Sequence, residues 1–290
     1  MSSGMYVQHN LSAIFAHRQL TITNGSLDKS LEKLSSGYRI NHAADDAAGL
    51  AISEKLRTQV SGLEQAARNT MDGISLIQTA EGGLEELHLI LQRMRTLAIE
   101  AANDTLTTSD RELLQVEVDQ LLEEIDRMQT TVVFNTRRLL TGAYSTGIGS
   151  IQLHVGANAG QVLGLHIGSM STTGMGIDGL MWKDDTGAVI GTGMTTRTGA
   201  ESAIAILSTA INMVSSNRAD LGAKQNRLEH TYNFINTATE NMQASESRIR
   251  DTDMASELTK FTKTQILLQA GTAMLSQANL KTQSVLQLLQ

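Results

Sequence analysis

Apolar residues recur at alternating steps of three and four positions from Leu56 to Ala101, and no other feature of the sequence restricts the fold as strongly. This spacing keeps every member on one side of an α-helix, where the side chains form a seam with neighbouring helices. Thr70 is the only polar residue on the line; its apolar members are Leu56, Val60, Leu63, Ala67, Ile74, Ile77, Ala80, Leu84, Leu87, Leu91, Met94, Ala98 and Ala101. The pattern predicts one long helix that packs along its whole length.

A second heptad line runs through the other half of the chain, from Leu207 to Ile249, with an apolar residue at every seventh position. The chain contains no proline, so the strongest helix breaker is absent. At about 1.5 Å per residue, the segments 56–101 and 204–249 would each be roughly 70 Å long. Because the two lengths are equal, we expect the two helices to pack against each other in antiparallel directions.

Several glycines lie within the first of these segments. Four glycines inside it are each expected to weaken the helix by about 1 kcal/mol relative to alanine. They are Gly62, Gly73, Gly82 and Gly83. A further heptad run over 114–128 predicts another helix, for which Ser109 would be the N-cap and Glu112 the partner in a capping box.

The middle of the chain, residues 142–199, has a different composition. It holds 14 of the 24 glycines, and its apolar residues alternate with polar ones over 151–155 and again over 163–167. Alternation of this kind predicts two strands, and the glycines from Gly156 to Gly160 suit the turn of a β-hairpin. Beyond Gly168 the alternation fades, which leaves a second hairpin or an exposed loop as alternatives.

Both ends of the chain read as amphipathic helices. The apolar residues that repeat at seven, and that we expect to pack between subunits of an assembly, are Leu20, Leu27, Leu34, Met254, Phe261, Leu268, Leu275 and Leu289. Ile266, Ala273 and Leu280 lie on a separate line, so the last helix has apolar surface in more than one direction. Helices of this kind without a compact core are expected to be poorly ordered alone and to fold when partners cover them.

Composition excludes several classes of protein. The chain has no cysteine, so it has neither disulfides nor thiolate metal ligands. A net charge of −7 argues against binding nucleic acid, because phosphate neutralisation requires a basic face. The sequence contains no run of about 18 apolar residues, so no membrane span is predicted. We therefore expect no nucleic acid partner and no membrane insertion.

The motifs that could indicate an enzyme are weak, and the sequence predicts a protein that is not one and needs no cofactor or metal. Gly174 to Gly179 match G-x-G-x-x-G but lack the preceding strand and following helix of a dinucleotide site, so a loop is expected. Ser30 to Lys33 match S-x-x-K, which we interpret as a solvated helix face. His154 and His166 could face each other across the hairpin, where a surface pair is favoured over a metal site. Adjacent Asp45 and Asp46 are interpreted as helix caps or subunit contacts.

Specific strings at both ends resemble bacterial flagellin. The similarity covers about 140 residues at the front and 90 at the back, while the middle is unassigned. The strings that carry it are HNLSA at 9–13, LEKLSSGYRINHAADDAAGLAIS at 31–53, LQRMRTLAIEAAN at 91–103, VEVDQLLEEIDRM at 116–128, ASESRIRDTDMA at 244–255, FTKTQILLQAGTAMLSQAN at 261–279 and QSVLQLLQ at 283–290.

The resemblance implies a mainly α fold: a long antiparallel coiled-coil helical bundle of N- and C-terminal segments with a small β-hairpin insert. It implies five segments along the chain, of which the first and last form a terminal coiled-coil domain that lines a central channel and the others form a rod domain. These are 1–44 and 254–290 for the terminal domain, 45–141 and 200–253 for the rod, and 142–199 for its insert.

The same resemblance implies function, partners and location. The chain would polymerise with other flagellin subunits into a filament for motility after type III export, with an export chaperone, a filament cap and junction proteins as partners. Animal receptors of the Toll-like type would recognise a patch that matches the family at Gln92, Arg93, Leu97 and Glu117. The filament is expected outside the cell. Strings at 9–18 and 283–290 are similar to spirochaete core flagellins, so a periplasmic filament is the alternative.

Two other functions share parts of this pattern. A hook-filament junction protein has similar end helices but different outer parts, and the full match over 31–53 and 244–279 favours flagellin over it. A non-flagellar coiled-coil scaffold, such as the cytoplasmic rod of a receptor, would show the same heptads together with a membrane anchor, and no such segment is predicted here.

Overall fold

The protein is mainly α-helical in the computed structural model, which describes the backbone of residues 10–145, 149–182 and 193–287 and the side chains of these residues up to 280. The six helices of this part are α1 (Leu11–Ser36), α2 (Ala47–Ala101), α3 (Thr108–Thr131), α4 (Thr172–Met175), α5 (Arg197–Arg250) and α6 (Met254–Gln287). The strands are β1 (Val133–Phe134), β2 (Arg137–Arg138), β3 (Ile151–His154) and β4 (Val162–Leu165), and a 3-10 turn spans Asp178–Leu180. The expected fold class is confirmed. Leu289 lies outside the described residues.

The chain divides into two compact units. One comprises residues 1–59 and 240–290 and is called the terminal unit here; the other comprises residues 60–239 and is called the rod unit. The sequence suggested a division between terminal and rod domains after residues 44 and 253, and that division stays a prediction. Residues 59–60 and 239–240, where the two units meet along the chain, lie within α2 and α5.

Within the rod unit, α2 and α5 are antiparallel, as the equal heptad lengths predict. The carboxylate of Glu81 lies 3.7 Å from the guanidinium of Arg218, and that of Asp104 lies 3.1 Å from the guanidinium of Arg197. The two heptad lines supply the core, since Leu84, Leu87, Leu91, Leu207, Val214 and Leu228 are fully buried. Thr70, the polar exception, is buried as well, and its hydroxyl donates to the carbonyl of Ala66 at 2.7 Å.

The cap of α3 differs from the sequence prediction. Thr107 is the N-cap; its hydroxyl accepts from the Asp110 backbone at 3.3 Å, and the Asp110 carboxylate accepts from the Thr107 backbone at 2.9 Å. The capping box is therefore two residues earlier than the proposed Ser109 and Glu112. Thr-x-x-Asp forms the same reciprocal pair as the Ser-x-x-Glu that suggested the later position.

The predicted hairpin is present in the insert. β3 and β4 pair in antiparallel register, with Ile151 opposite Leu165 and Leu153 opposite Leu163. Ile151, Leu163 and Leu165 are buried in the rod core, so the apolar residues of the alternation face the helices. The insert packs closely against α2 at a glycine, since a Cβ on Gly73 would lie 2.5 Å from Leu153 Cδ1.

The segment after Gly168 is neither a second hairpin nor an exposed loop in its described part. Ser169 bridges to Thr141, and the chain then forms α4 and the 3-10 turn. Five of its apolar residues are buried in the rod core: Met170, Met175, Ile177, Leu180 and Met194. The sequence missed this docking because the segment has neither the period of a helix nor that of a strand.

Candidate functional site

The helices α1 and α6 of the terminal unit pack against each other in antiparallel directions. Near one end Asn10 Nδ2 donates to the Ala278 carbonyl at 2.9 Å, and near the other Ser30 Oγ donates to Glu257 Oε1 at 2.7 Å. Between these points Leu20 packs so closely on Gly271 that a Cβ there would lie 2.8 Å from Leu20 Cδ2. A shared seam therefore runs along both helices.

Most of the residues predicted to pack between subunits lie half-buried along this helix pair. They are Leu20, Leu27, Leu34, Phe261, Leu268 and Leu275. Met254 is half exposed, at the start of α6. The heptad line thus has partners within its own chain, and a direct role for these residues between subunits stays a prediction.

The seam contains a buried charged group. Ser30 and Glu257 are each only 6% exposed, and the Lys260 ammonium lies 3.1 Å from the other Glu257 carboxylate oxygen. The Ser30 hydroxyl bond and the Lys260 charge hold the Glu257 pKa below its ordinary value, against the opposing effect of burial. The interpretation of Ser30 to Lys33 as a solvated helix face is therefore wrong at Ser30, which faces α6.

A second set of apolar side chains points away from the seam into solvent. On α1 and α6 the large members are between 51% and 66% exposed, and they are Leu11, Ile14, Phe15, Ile22, Leu31, Leu258, Ile266, Leu267, Met274 and Leu280. The expected extra apolar line on α6 is confirmed, since Ile266, Ala273 and Leu280 are all exposed. We call this set the outer apolar surface. Apolar area of this extent on a protein surface marks a site of association.

The connections between the helices of the terminal unit are bound to each other. Tyr38, after α1, forms a β-bridge with Asp251, after α5, and the Arg39 amide donates to the Arg250 carbonyl at 2.6 Å. The Arg250 guanidinium lies 4.7 Å from the centre of the Tyr38 ring and donates to Glu54 at 2.7 Å. The Arg250 side chain therefore links the end of α5 both to the segment after α1 and to α2.

Of the adjacent aspartates, Asp46 caps a helix, as expected, whereas Asp45 binds the turn that precedes it. Asp45 Oδ2 accepts from the backbone amides of Asn41 and His42 at 3.2 and 3.1 Å, and these bonds lower the Asp45 pKa. Asp46 Oδ1 accepts from the Gly49 amide at 2.8 Å and so satisfies a free donor in the first turn of α2.

The patch attributed to receptor recognition lies on α2 and α3 in the rod unit. Arg93 Nε donates to Glu117 Oε1 at 2.7 Å across the two helices, and Gln92 is exposed one residue earlier. Leu97 is only 1% exposed and belongs to the rod core. Three of the four side chains are thus accessible, while Leu97 supports the helix from below.

The motifs that could indicate catalysis are dispersed. Gly174 lies within α4 and Gly176 ends it in the left-handed conformation, so a short helix, and not a strand, leads into the glycine motif. His154 pairs with Val162, whereas His166 lies beyond the Ile151–Leu165 end of the ladder, so the two histidines do not face each other. Across the described ranges, no group of three or more acidic or histidine side chains could bind a metal ion. Within the same ranges, no helix is sufficiently long and apolar to span a membrane.

Comparison with known proteins gives consistent matches along the chain. Residues 7–145 match the family described as "Bacterial flagellin N-terminal helical region", and residues 204–289 match "Bacterial flagellin C-terminal helical region". The flagellin of Halalkalibacterium halodurans is 50% identical over 285 residues, which is 98% of this chain and 100% of that protein. Flagellin FlaB2 of Treponema pallidum is 48% identical over 291 residues, with 98% and 100% covered. A crystal structure of Bacillus cereus flagellin is 32% identical, covers 62% of this chain and 94% of that one, and has a TM-score of 0.47.

Proposed function

The chain belongs to the bacterial flagellin family and is a structural subunit of the flagellar filament, and we propose that it polymerises through the outer apolar surface of α1 and α6. The observation that carries this proposal is the exposure of that surface: Phe15 is 66% and Ile266 64% exposed on helices whose inner faces are already paired. Covering such side chains is favourable by about 25 cal/mol per Å² of apolar area. Neighbouring subunits of the homopolymer are the partners that cover them.

The arrangement of this surface suits an open polymer. Its members lie on several sides of the helix pair, so one subunit has more than one neighbour. Contacts in which different patches meet head to tail, and do not close into a ring, generate a helical filament. The seam residues, such as Leu27 and Leu268, then have a supporting role, because they hold α1 and α6 together while the outer side chains meet neighbouring subunits.

The proposal is tested by placing a charge on the outer surface. In Ile266→Glu, a carboxylate would have to be buried between subunits, so we expect no filaments in electron micrographs after seeding and unchanged circular dichroism of the monomer. Gln265→Glu adds the same charge at the neighbouring exposed position and should polymerise normally. Filaments from Ile266→Glu at the wild-type rate would contradict the proposal, as would equal loss in both variants.

Removing the C-terminal end provides an independent test. A chain without residues 281–290 should fail to polymerise while the rod unit stays helical, because part of the apolar sequence of the last helix is lost. Unchanged polymers would contradict a role for that end in assembly. The export chaperone, filament cap and junction proteins remain proposed partners from the family, and co-purification with this same truncated chain tests whether they bind its last ten residues.

We place the filament outside the cell and treat a periplasmic filament as the other outcome of the test. The similarity extends to flagellins of both Halalkalibacterium halodurans and Treponema pallidum. Antibody labelling of intact cells, before and after the outer membrane is made permeable, decides between the two locations. Labelling of intact cells supports an external filament, whereas labelling only after permeabilisation overturns it.

A second candidate function is recognition by receptors of the Toll-like type through Gln92, Arg93 and Glu117. What favours it is that the Arg93–Glu117 pair is accessible and joins two helices by a contact of 2.7 Å. Arg93→Ala should reduce receptor signalling severalfold in a reporter cell assay. Arg127→Ala removes a similar exposed pair, with Glu124 on the same helix, and should leave signalling unchanged.

A further inference from the structure

A fully buried glutamine in the rod unit binds the backbone of the insert at two separate points. Gln115, on α3, has no exposed surface. Its Nε2 donates to the Leu180 carbonyl at 2.8 Å, and its Oε1 accepts from the Met194 amide at 2.6 Å. We call the described insert residues 169–182 and 193–196 the strap. One side chain therefore holds the strap on both sides of residues 183–192.

Two acidic side chains on the same helix extend this contact. Asp119 Oδ1 accepts from Gln115 Nε2 at 2.8 Å and from the Trp182 amide at 3.1 Å. Further along α3, the Asp126 carboxylate accepts from the amide and the hydroxyl of Thr172 at 2.9 to 3.1 Å. These three side chains, Gln115, Asp119 and Asp126, form what we call the polar latch.

The close fit at Gly193 shows how tightly the strap sits on the latch. Gly193 has a φ of +46°, and a Cβ there would lie 2.5 Å from Gln115 Oε1. A residue with a side chain would be strained in this backbone conformation and would also push the amide acceptor away. The contact therefore depends on glycine at this position.

The apolar residues of the strap specify its position poorly by themselves. Of its five buried apolar residues, three are methionines, namely Met170, Met175 and Met194. Methionine is unbranched and adapts to irregular gaps, so methionine packing stabilises a contact without selecting one arrangement. Hydrogen bonds to buried groups, in contrast, select one arrangement, because a shifted strap would leave donors and acceptors unsatisfied in the core.

We propose that the polar latch is a specificity device that selects a single docked arrangement of the strap on α3. Gln115 is its central positioning residue. The methionines supply burial, and the latch determines which backbone groups meet α3. Buried polar groups are known to select register in helical assemblies, at some cost in stability. Without the latch, the strap would remain associated with the core but would occupy several arrangements.

Trp182 makes this testable, because it is the only tryptophan in the chain and its amide is held by the latch. Gln115→Met keeps the length and volume of the side chain and removes its polar groups. We expect the fluorescence lifetimes of Trp182 to report more than one environment. By hydrogen exchange, the amides of Trp182 and Met194 should exchange at least about tenfold faster, while those of α2 keep their rates.

The controls separate selection of an arrangement from general stability. Gln120→Met makes the same change at an exposed position of α3 and should leave Trp182 unchanged. One Trp182 environment with wild-type exchange in Gln115→Met overturns the proposal, and so does an equal acceleration of exchange in α2 and in the strap. If circular dichroism shows that Gln115→Met does not fold, Thr172→Val decides: it removes only the hydroxyl that binds Asp126, and it should accelerate exchange in the strap selectively.

Discussion

Gly83 on α2 lies against Val132, so that a Cβ built on Gly83 would be 2.8 Å from Val132 Cγ2 and 3.1 Å from Cγ1, whereas one on the adjacent Gly82 would meet nothing within 4 Å. Valine is stiff about its χ1 angle and has little freedom to move aside. Of these two neighbouring glycines, Gly82 therefore has room for a side chain, whereas Gly83 does not.

This difference predicts opposite effects of the same substitution. Gly82→Ala should stabilise the rod unit by about 0.5–1 kcal/mol, because alanine favours the helix. Gly83→Ala gains the same propensity but overpacks the contact with Val132, and we expect a net loss of about 1–2 kcal/mol. Urea unfolding followed by circular dichroism measures both. Equal stabilisation by the two substitutions would show that Val132 yields freely.

The revised cap of α3 gives a second prediction. Thr107→Ala removes the hydroxyl that accepts from the Asp110 amide and should cost about 1 kcal/mol of stability. Ser109→Ala, at the position that the sequence suggested, should have little effect. Thermal unfolding of the two variants compares them directly, and a larger loss in Ser109→Ala would restore the original assignment.

The Ser30–Glu257 bond predicts a pH dependence. The folded-state pKa of Glu257 is lowered from the ordinary 4.5, so the stabilisation is present above that value and is lost as the pH falls through the lower, folded-state pKa. Ser30→Ala should therefore destabilise each subunit of an assembled filament by about 1–2 kcal/mol at pH 7. The measurement is the temperature at which the filaments fall apart. As the pH falls from 4.5 through the folded-state pKa, the difference from wild type should shrink. Ser26→Ala, whose hydroxyl binds only its own helix, is the matched control, and a pH-independent difference would contradict this origin.

Arg250 predicts a loss of order where the helices of the terminal unit connect. Its side chain is 14% exposed and contacts both Tyr38 and Glu54. Arg250→Ala should destabilise the terminal unit by about 1–2 kcal/mol and accelerate amide exchange in residues 37–46. Arg248→Ala removes an arginine that binds Ser245 on its own helix and should change little. Equal exchange rates in the two variants would mean that the backbone pairing of residues 38–39 with 250–251 keeps this segment ordered without the Arg250 side chain.

The helices of the candidate site could be predicted from the sequence, but most of the contacts between their side chains could not. Leu20, Leu27 and Phe261 follow a heptad line, and such a line shows that a side chain packs without identifying the partner. The structure pairs these residues within the chain and leaves Phe15 and Ile266 exposed. Leu97 shows the same limit: a matched position in a motif carries no information on whether its side chain points outward.

The helices, their antiparallel pairing, the β3–β4 hairpin and the family could all be predicted from the sequence, because periodicity, glycine turns and family motifs are properties of short stretches of chain. The tertiary structure alone decided what each helix touches. It assigned Gly73 and Gly83 to close packing, placed Ser30 opposite Glu257, and docked the strap on Gln115. These contacts join residues distant in the chain, and their energies depend on distances and burial that arise only after the elements have packed.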